Sequence, residues 1–237
     1  MKALANNIWI VEKEFSFIGA DFGNRMTVTR LPSGAILLHS PVEYSDEISN
    51  EIDSLGEVAF IVTPNNFHGL FVDQWIEKYS RVKHFTTKPD ELVNSYALTE
   101  GIEEDLESAI NVIKIEGMSK LNEFVFRHKE SSTLILTDLA FNFDKDISLW
   151  SKLFFKLNGC YEKFGPSRLM KTMIDSPDKL IGSIARINEL SFTRIIVSHG
   201  NVVELQAKQI FCSAFNEASI GFAKNKSKSK FSLAKCG

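Results

Sequence analysis

Three segments with the apolar content of buried strands each deliver a side chain able to bind a metal: FIVTPNNFH reaches His68, LILTDL carries Asp138 and RIIVSHG carries His199. Two imidazole nitrogens and one carboxylate oxygen suit zinc, iron or manganese, because neutral nitrogen and anionic oxygen fill part of a first shell and leave positions for water. Water held in that way is a nucleophile near neutral pH. The expectation is one divalent ion on His68, Asp138 and His199, with Asp138 and His68 as the catalytic candidates. A single strand-end histidine more often completes a hydrogen bond than a metal shell, so the reading rests on the three together. With bonds of about 2 Å, one ion joins them only if their side-chain ends lie within roughly 6 Å of one another.

Strand ends are suitable places for such groups, since rigid strands hold side chains from distant parts of the chain at one crevice. The runs IWIVEKEF, MTVTRL and AILLHSP, separated by turns at Ala20–Asn24 and Pro32–Gly34, predict an antiparallel start. Ser45 caps a helix whose Ile48, Ile52 and Leu55 share one face. VAFIVTP follows as a buried strand, then a helix from Gly69 to Tyr79, then VKHFTTKP as another strand. Glu100 to Asn111 reads as an irregular acidic stretch. NEFVFRH and STLILTDLAFN form a strand pair around the turn Lys129–Ser132. Helical spacing recurs from Ile147 to Leu157 and from Pro177 to Leu190, FTRIIVSHG is a last core strand, and VELQAKQIFCSAF is a closing helix. Strands in two groups, each followed by helices, indicate a layered α/β protein rather than an alternating Rossmann series. Neither a G-x-G-x-x-G nor a Walker A pattern is present.

At 237 residues the chain suits one domain, expected over 1–221, with a basic, flexible tail at 222–237. The net charge of −3 includes five tail lysines, so the body stands near −8. Such a body repels a phosphate backbone and disfavours nucleic acid, while a small-molecule ligand or substrate suits it. Cys160, Cys212 and Cys236 match neither a zinc knuckle nor a C-x-x-C pair, and a reducing cytoplasm is the expected location. No apolar run approaches the roughly 20 residues that span a bilayer, so membrane insertion is not expected.

Other polar residues have blander roles. His84 and His128 suit sheet-surface or strand-end positions, Arg25 and Arg30 suit pairing with acidic groups rather than an anionic ligand, and Asn65 and Asn66 suit turn and cap geometry. Asn142 either orients a neighbour of Asp138 or ends its strand. Trp9, Trp75 and Trp150 are expected in the core. Strand alternation points Ser198 away from His199, and Cys160 has no adjacent histidine, so neither serves as a nucleophile.

The order of strands, LLHSP, helix, FIVTPNNFHGLF, the pair containing TLILTDLAFN, and RIIVSHG resembles the metallo-β-lactamase-like superfamily, specifically its DUF4336 branch, over Ile8 to Phe215. The resemblance implies a four-layer αββα sandwich of hydrolase ancestry. Its His-x-His-x-Asp-His loop falls on Thr63, Asn65, Phe67 and His68, so only the last histidine survives. Asp138 corresponds to the bridging aspartate, with Thr137 for the usual glycine, and His199 to the final histidine. LLHSP stands at the Asp-Thr-Gly turn, which brings His39 near the crevice. The surviving residues belong to one side of a dinuclear centre, so the resemblance implies at most one metal, with Asn65 or His39 as a weak extra ligand.

Two functions follow as alternatives. One is metal-dependent hydrolysis of an ester, thioester or phosphoester. The other is a non-catalytic binding module that keeps the fold and crevice without metal. A third, narrower idea gives the lysine-rich tail a role in binding acidic surfaces.

Overall fold

A computed structural model describes residues 1–89, 94–143 and 147–223. The strands are β1 (Lys2–Ala5), β2 (Ile8–Lys13), β3 (Ser16–Phe17), β4 (Ala20–Asp21), β5 (Asn24–Arg30), β6 (Ile36–His39), β7 (Val58–Thr63), β8 (Lys83–Thr86), β9 (Ser95–Ala97), β10 (Ile110–Lys114), β11 (Phe124–His128), β12 (Thr133–Leu136) and β13 (Arg194–Val197). The helices are α1 (Asp46–Asp53), α2 (Val72–Lys78), α3 (Leu149–Asn158), α4 (Arg168–Lys171), α5 (Pro177–Glu189) and α6 (Ala207–Ala223). One sheet has the order β1-β2-β5-β6-β7-β8-β9, the other β10-β11-β12-β13, and β3 and β4 form a small hairpin. The first sheet is antiparallel through β6 and parallel from β6 to β9.

Period-two alternation makes four layers of these elements. Ile8, Ile10, Leu37, Val62 and Phe85 from the first sheet meet Val112, Phe124, Phe126, Ile135 and Ile196 from the second. Their strand neighbours Val28, Ile36, Leu38 and Ile61 face outward, onto Ile48 and Ile52 of α1 and Val72 and Trp75 of α2. On the far side Ile113, Val125, Leu134, Leu136 and Val197 pack beneath α5 and α6 through Ile184, Ile187 and Phe211. The architecture is therefore the expected αββα sandwich. The central strands β6, β7, β12 and β13 are mainly apolar on both faces because both faces are covered.

Ser45 caps α1 as expected, accepting the N–H of Ile48. The strand pair at Lys129–Ser132 also forms, with Phe126 opposite Ile135, and β13 joins β12 in parallel. Three expectations need correction. The acidic stretch contains a 3-10 turn at Glu100–Glu103 and leads into β10, an edge strand of the second sheet hidden by its short polar-ended sequence INVIK. Helix α2 starts at Val72 rather than Gly69, because the loop that positions His68 occupies the intervening residues. Trp75 is a fully buried anchor whose Nε1 donates to Val42 at 2.6 Å, but Trp150 is half-exposed on α3. Helix α6 runs through Ala223, and the tail lysines, Lys224 to Lys235, lie outside the described residues. Among the described residues no helix is long and apolar enough to cross a membrane.

Candidate metal centre

Strand β7 ends at Thr63, and the chain turns through Pro64 and Asn65 before reaching His68. The Asn65 side chain fixes that turn: its Oδ1 accepts the backbone N–H of Phe67 at 2.8 Å and of His68 at 3.0 Å. Its Nδ2 donates to Asp138 Oδ2 at 2.8 Å and Thr137 Oγ1 at 3.0 Å. Both ends of the amide are engaged, so Asn65 positions two of the candidate ligands and is not the extra ligand considered above. Asp138 follows β12 by two residues and His199 follows β13 by two, and the parallel pairing of Leu136 with Val197 places them side by side.

Behind Asp138 lies a residue that the sequence reading passed over. Glu123 is buried to 0 % exposure and accepts the backbone N–H of Thr137 at 2.9 Å, Asp138 at 2.9 Å and Leu139 at 3.0 Å. A charged residue entering the apolar strand FVFRH was the available signal, since a carboxylate at full burial needs several donors. Burial, followed by the repulsion of Asp138, raises the Glu123 pKa.

The His199 loop is held from the other sheet. Arg25 is buried, bonds to the carbonyls of Val197 and Gly200 (2.6 Å for the latter), and pairs with Glu12. Arg25 thus pairs with an acidic partner, as expected, and also buttresses β13. Asn142 belongs to the same brace: its backbone N–H donates to the His199 carbonyl at 3.3 Å and its Nδ2 to the Asn201 carbonyl at 2.9 Å. Phe22 and Phe141 flank the His199 ring at centroid distances of 5.6 and 5.9 Å.

At the centre, His68 Nε2 lies 3.2 Å from Asp138 Oδ2 and His199 Nε2 lies 3.4 Å from Asp138 Oδ1. One ligand atom from each residue lies within 4.8 Å of the others, so a small side-chain adjustment brings all three onto one ion with bonds of about 2 Å. Contacts of 3.2–3.4 Å match the edge of a tetrahedron of ligands with bonds of about 2 Å. The outward nitrogens are occupied. His199 Nδ1 donates to the Gly23 carbonyl at 2.7 Å, and His68 Nδ1 shares a 2.7 Å hydrogen bond with Ser40 Oγ. Because a carbonyl can only accept, His199 Nδ1 carries a proton, so on the neutral ring the Nε2 lone pair would face Asp138. A lone pair facing a carboxylate requires a cation between or beside them, either a proton or a metal. The residues therefore fit a divalent ion. Burial pushes the Asp138 carboxyl upward, but the facing His68 and His199 hold it well below the usual carboxylate range.

The remaining candidates lie elsewhere. His39 ends β6 but turns into the space between the sheets, edge-on to Phe126 at 4.8 Å, so it is not an extra ligand as considered above. Burial, with His68 nearby, lowers its pKa to about 3. His84 is buried rather than on the sheet surface and bonds to Thr63 Oγ1 at 2.8 Å. His128 ends β11 and meets Ser131 Oγ at 2.7 Å. Ser198 opens on a separate polar cavity beside Arg25, while His199 lines the apolar cavity described below, as alternation requires. Burial pushes the Cys160 thiol up to about 12.

No family model and no curated protein matches the chain. Solved structures do. A metallo-β-lactamase from Erythrobacter litoralis, with β-mercaptoethanol in its active site, aligns with a TM-score of 0.61 at 12% identity, covering 91% of this chain and 95% of that one. The metallo-β-lactamase FIM-1 from Pseudomonas aeruginosa, in its mono-zinc form, aligns with a TM-score of 0.58 at 10% identity over 92% of this chain and 95% of that one. A metallo-β-lactamase from Pontibacter korlensis gives a TM-score of 0.56 at 14% identity, covering 91% and 97%. The chain has the metallo-β-lactamase fold.

Proposed function

We propose that the protein is a metal-dependent hydrolase that holds one divalent ion, zinc, iron or manganese, on His68, Asp138 and His199, and that it acts on an ester or related acyl compound. The observation that carries this is the pairing of both inward Nε2 atoms with the two oxygens of one carboxylate while both outward Nδ1 atoms are hydrogen-bonded. One neighbour of the same fold is a mono-zinc form, which supports a single-ion reading. When bound, the ion supplies a Lewis acid and a nucleophilic water at neutral pH. The chain does the rest. Gly23 and Ser40 orient the two imidazoles, Asn65 and Glu123 hold Asp138, and the aromatic rings beside His199 exclude bulk water. In this proposal Asp138 and His68 are the groups nearest the reacting atoms. Placement in the DUF4336 branch rests on the segments FIVTPNNFHGLF, TLILTDLAFN and RIIVSHG alone.

A second reading, a binding module without catalysis, is favoured by Phe67. Where the superfamily pattern has an acid, this chain carries a half-exposed phenyl ring, which can be neither base nor ligand. Metal analysis separates the two readings. Protein purified without a nickel column should hold or take up about one equivalent of a divalent metal per chain, and His199→Ala should lose most of it. Less than about a tenth of an equivalent, with none gained on addition, leaves only the binding module.

A further inference from the structure

The three candidate ligands form one end of a cavity of about 380 Å³, within the size range of small-molecule sites. Its walls are almost wholly apolar. Phe15, Phe22, Phe141 and Met170 line it, and Phe17, Phe67, Leu70 and Leu169 stand at its rim with half or more of their surface exposed. Large exposed apolar residues scattered singly need no explanation, but four gathered around one opening do. Among the described residues no lysine or arginine lines it, and Asp138 is the one lining carboxylate. Asn24 and Ser167 supply the remaining polar side chains.

We propose that this cavity binds the uncharged, apolar acyl or aryl group of an ester or thioester whose carbonyl lies at His68, Asp138 and His199, and that it rejects phosphoesters and acyl chains ending in a charge. The assignment rests on the hydrolase reading and deepens it. A phosphoryl group presents several anionic oxygens and is recognised by forked or clustered cations. None of the described lining residues is a cation of that kind, and the Phe67 ring stands at the rim. An ionised group carried into these walls loses hydration without gaining a partner. An alkyl or aryl group instead exchanges water for phenyl and thioether surface, each buried methylene contributing a factor of about four in binding.

The test uses the full chain supplied with zinc or manganese and a series of 4-nitrophenyl esters from acetyl to octanoyl, with 4-nitrophenyl phosphate and a carboxylate-ended ester of equal length as comparisons. The expected result is a kcat/KM that rises about fourfold per methylene until the cavity fills, with little turnover of the phosphate or the carboxylate-ended ester. Phe67→Asp and Leu169→Asp, both at half-exposed positions, should flatten the rise, and Phe67→Leu should restore it. Calorimetry with uncharged amides of the same acyl groups reads binding without turnover. A flat ester series, or preference for the phosphate, overturns the cavity assignment while leaving a hydrolase. Amide affinity that rises with chain length and falls in both aspartate variants, without hydrolysis of any ester, upholds the apolar site and overturns the hydrolase reading.

Discussion

Glu123 Oε2 accepts the backbone N–H of Asp138 at 2.9 Å, so a fully buried carboxylate just before β11 holds the backbone of the candidate metal ligand just after β12. The same carboxylate takes the N–H groups of Thr137 and Leu139, and Asn65 Nδ2 reaches it at 3.2 Å. Glu123→Ala therefore strands three buried donors at once. Leaving one such donor unsatisfied costs about 1–3 kcal/mol, so destabilisation of about 3 kcal/mol or more is expected in urea unfolding. Glu123→Gln restores the shape but sets an NH2 group against backbone donors, so it should recover only part of the loss. In either variant that folds, metal affinity should fall by roughly 10- to 100-fold. Unchanged stability in Glu123→Ala would contradict this role.

At Gly200, next to a candidate ligand, the backbone leaves no room for a side chain. Its φ is +94°, and a Cβ there would lie 2.3 Å from the Asn142 carbonyl oxygen. That oxygen also accepts the N–H of Asn201 at 2.7 Å, which fixes the exit of the His199 loop. Gly200→Ala should cost about 1–3 kcal/mol and displace His199. Thermal unfolding measures the first effect, and metal titration of the folded variant measures the second. A variant that binds metal like the native chain would show that the loop tolerates a shift there.

Stability should depend on pH through His84. Burial lowers its pKa to about 4 in the folded protein, against an ordinary value of 6.5. Between those values the unfolded chain takes up a proton that the folded chain refuses, so this contribution is lost as pH falls from about 6.5 to 4 and levels off below. The window corresponds to about 3 kcal/mol. His39 acts with the same sign down to about 3. Glu123, whose folded pKa is raised, acts oppositely and is stabilising at low pH. The total curve mixes these signs, so the comparison is between the native chain and His84→Gln, which keeps a partner for Thr63. The variant's curve should be flatter over pH 4–6.5, and equal slopes would remove His84 as the source.

Cys160 should be chemically inert in the native protein. It is 2 % exposed and its thiol pKa is pushed up to about 12, so almost no thiolate exists near pH 8. Iodoacetamide followed by peptide mass analysis should leave Cys160 unmodified until denaturant is added. Rapid native labelling of this residue would show that the α3 end opens.

The residue order alone carried the layered class, since apolar strands bounded by turns and followed by amphipathic helices have few other ways to bury their faces. It also named His68, Asp138 and His199 as candidates, because each follows a strand-forming run, but their meeting depends on the pairing of β12 with β13 and on the loop after β7. Strand β10 was not legible, because INVIK gains its strand identity from pairing with Phe124–His128 rather than from a local pattern. Nor was the role of Glu123, or the long-range bonds that Arg25, Asn65 and Asn142 make beyond the pairing, turn and strand-end roles expected of them, with partners up to 175 residues away. Side-chain type and strand spacing are local properties, so the sequence determined which groups could bind a metal. Tertiary structure alone decided that His39 turns into the core, that Asn65 spends its amide on neighbours, and that apolar rings rather than cations wall the cavity, because those outcomes depend on which distant surfaces the folded layers bring together.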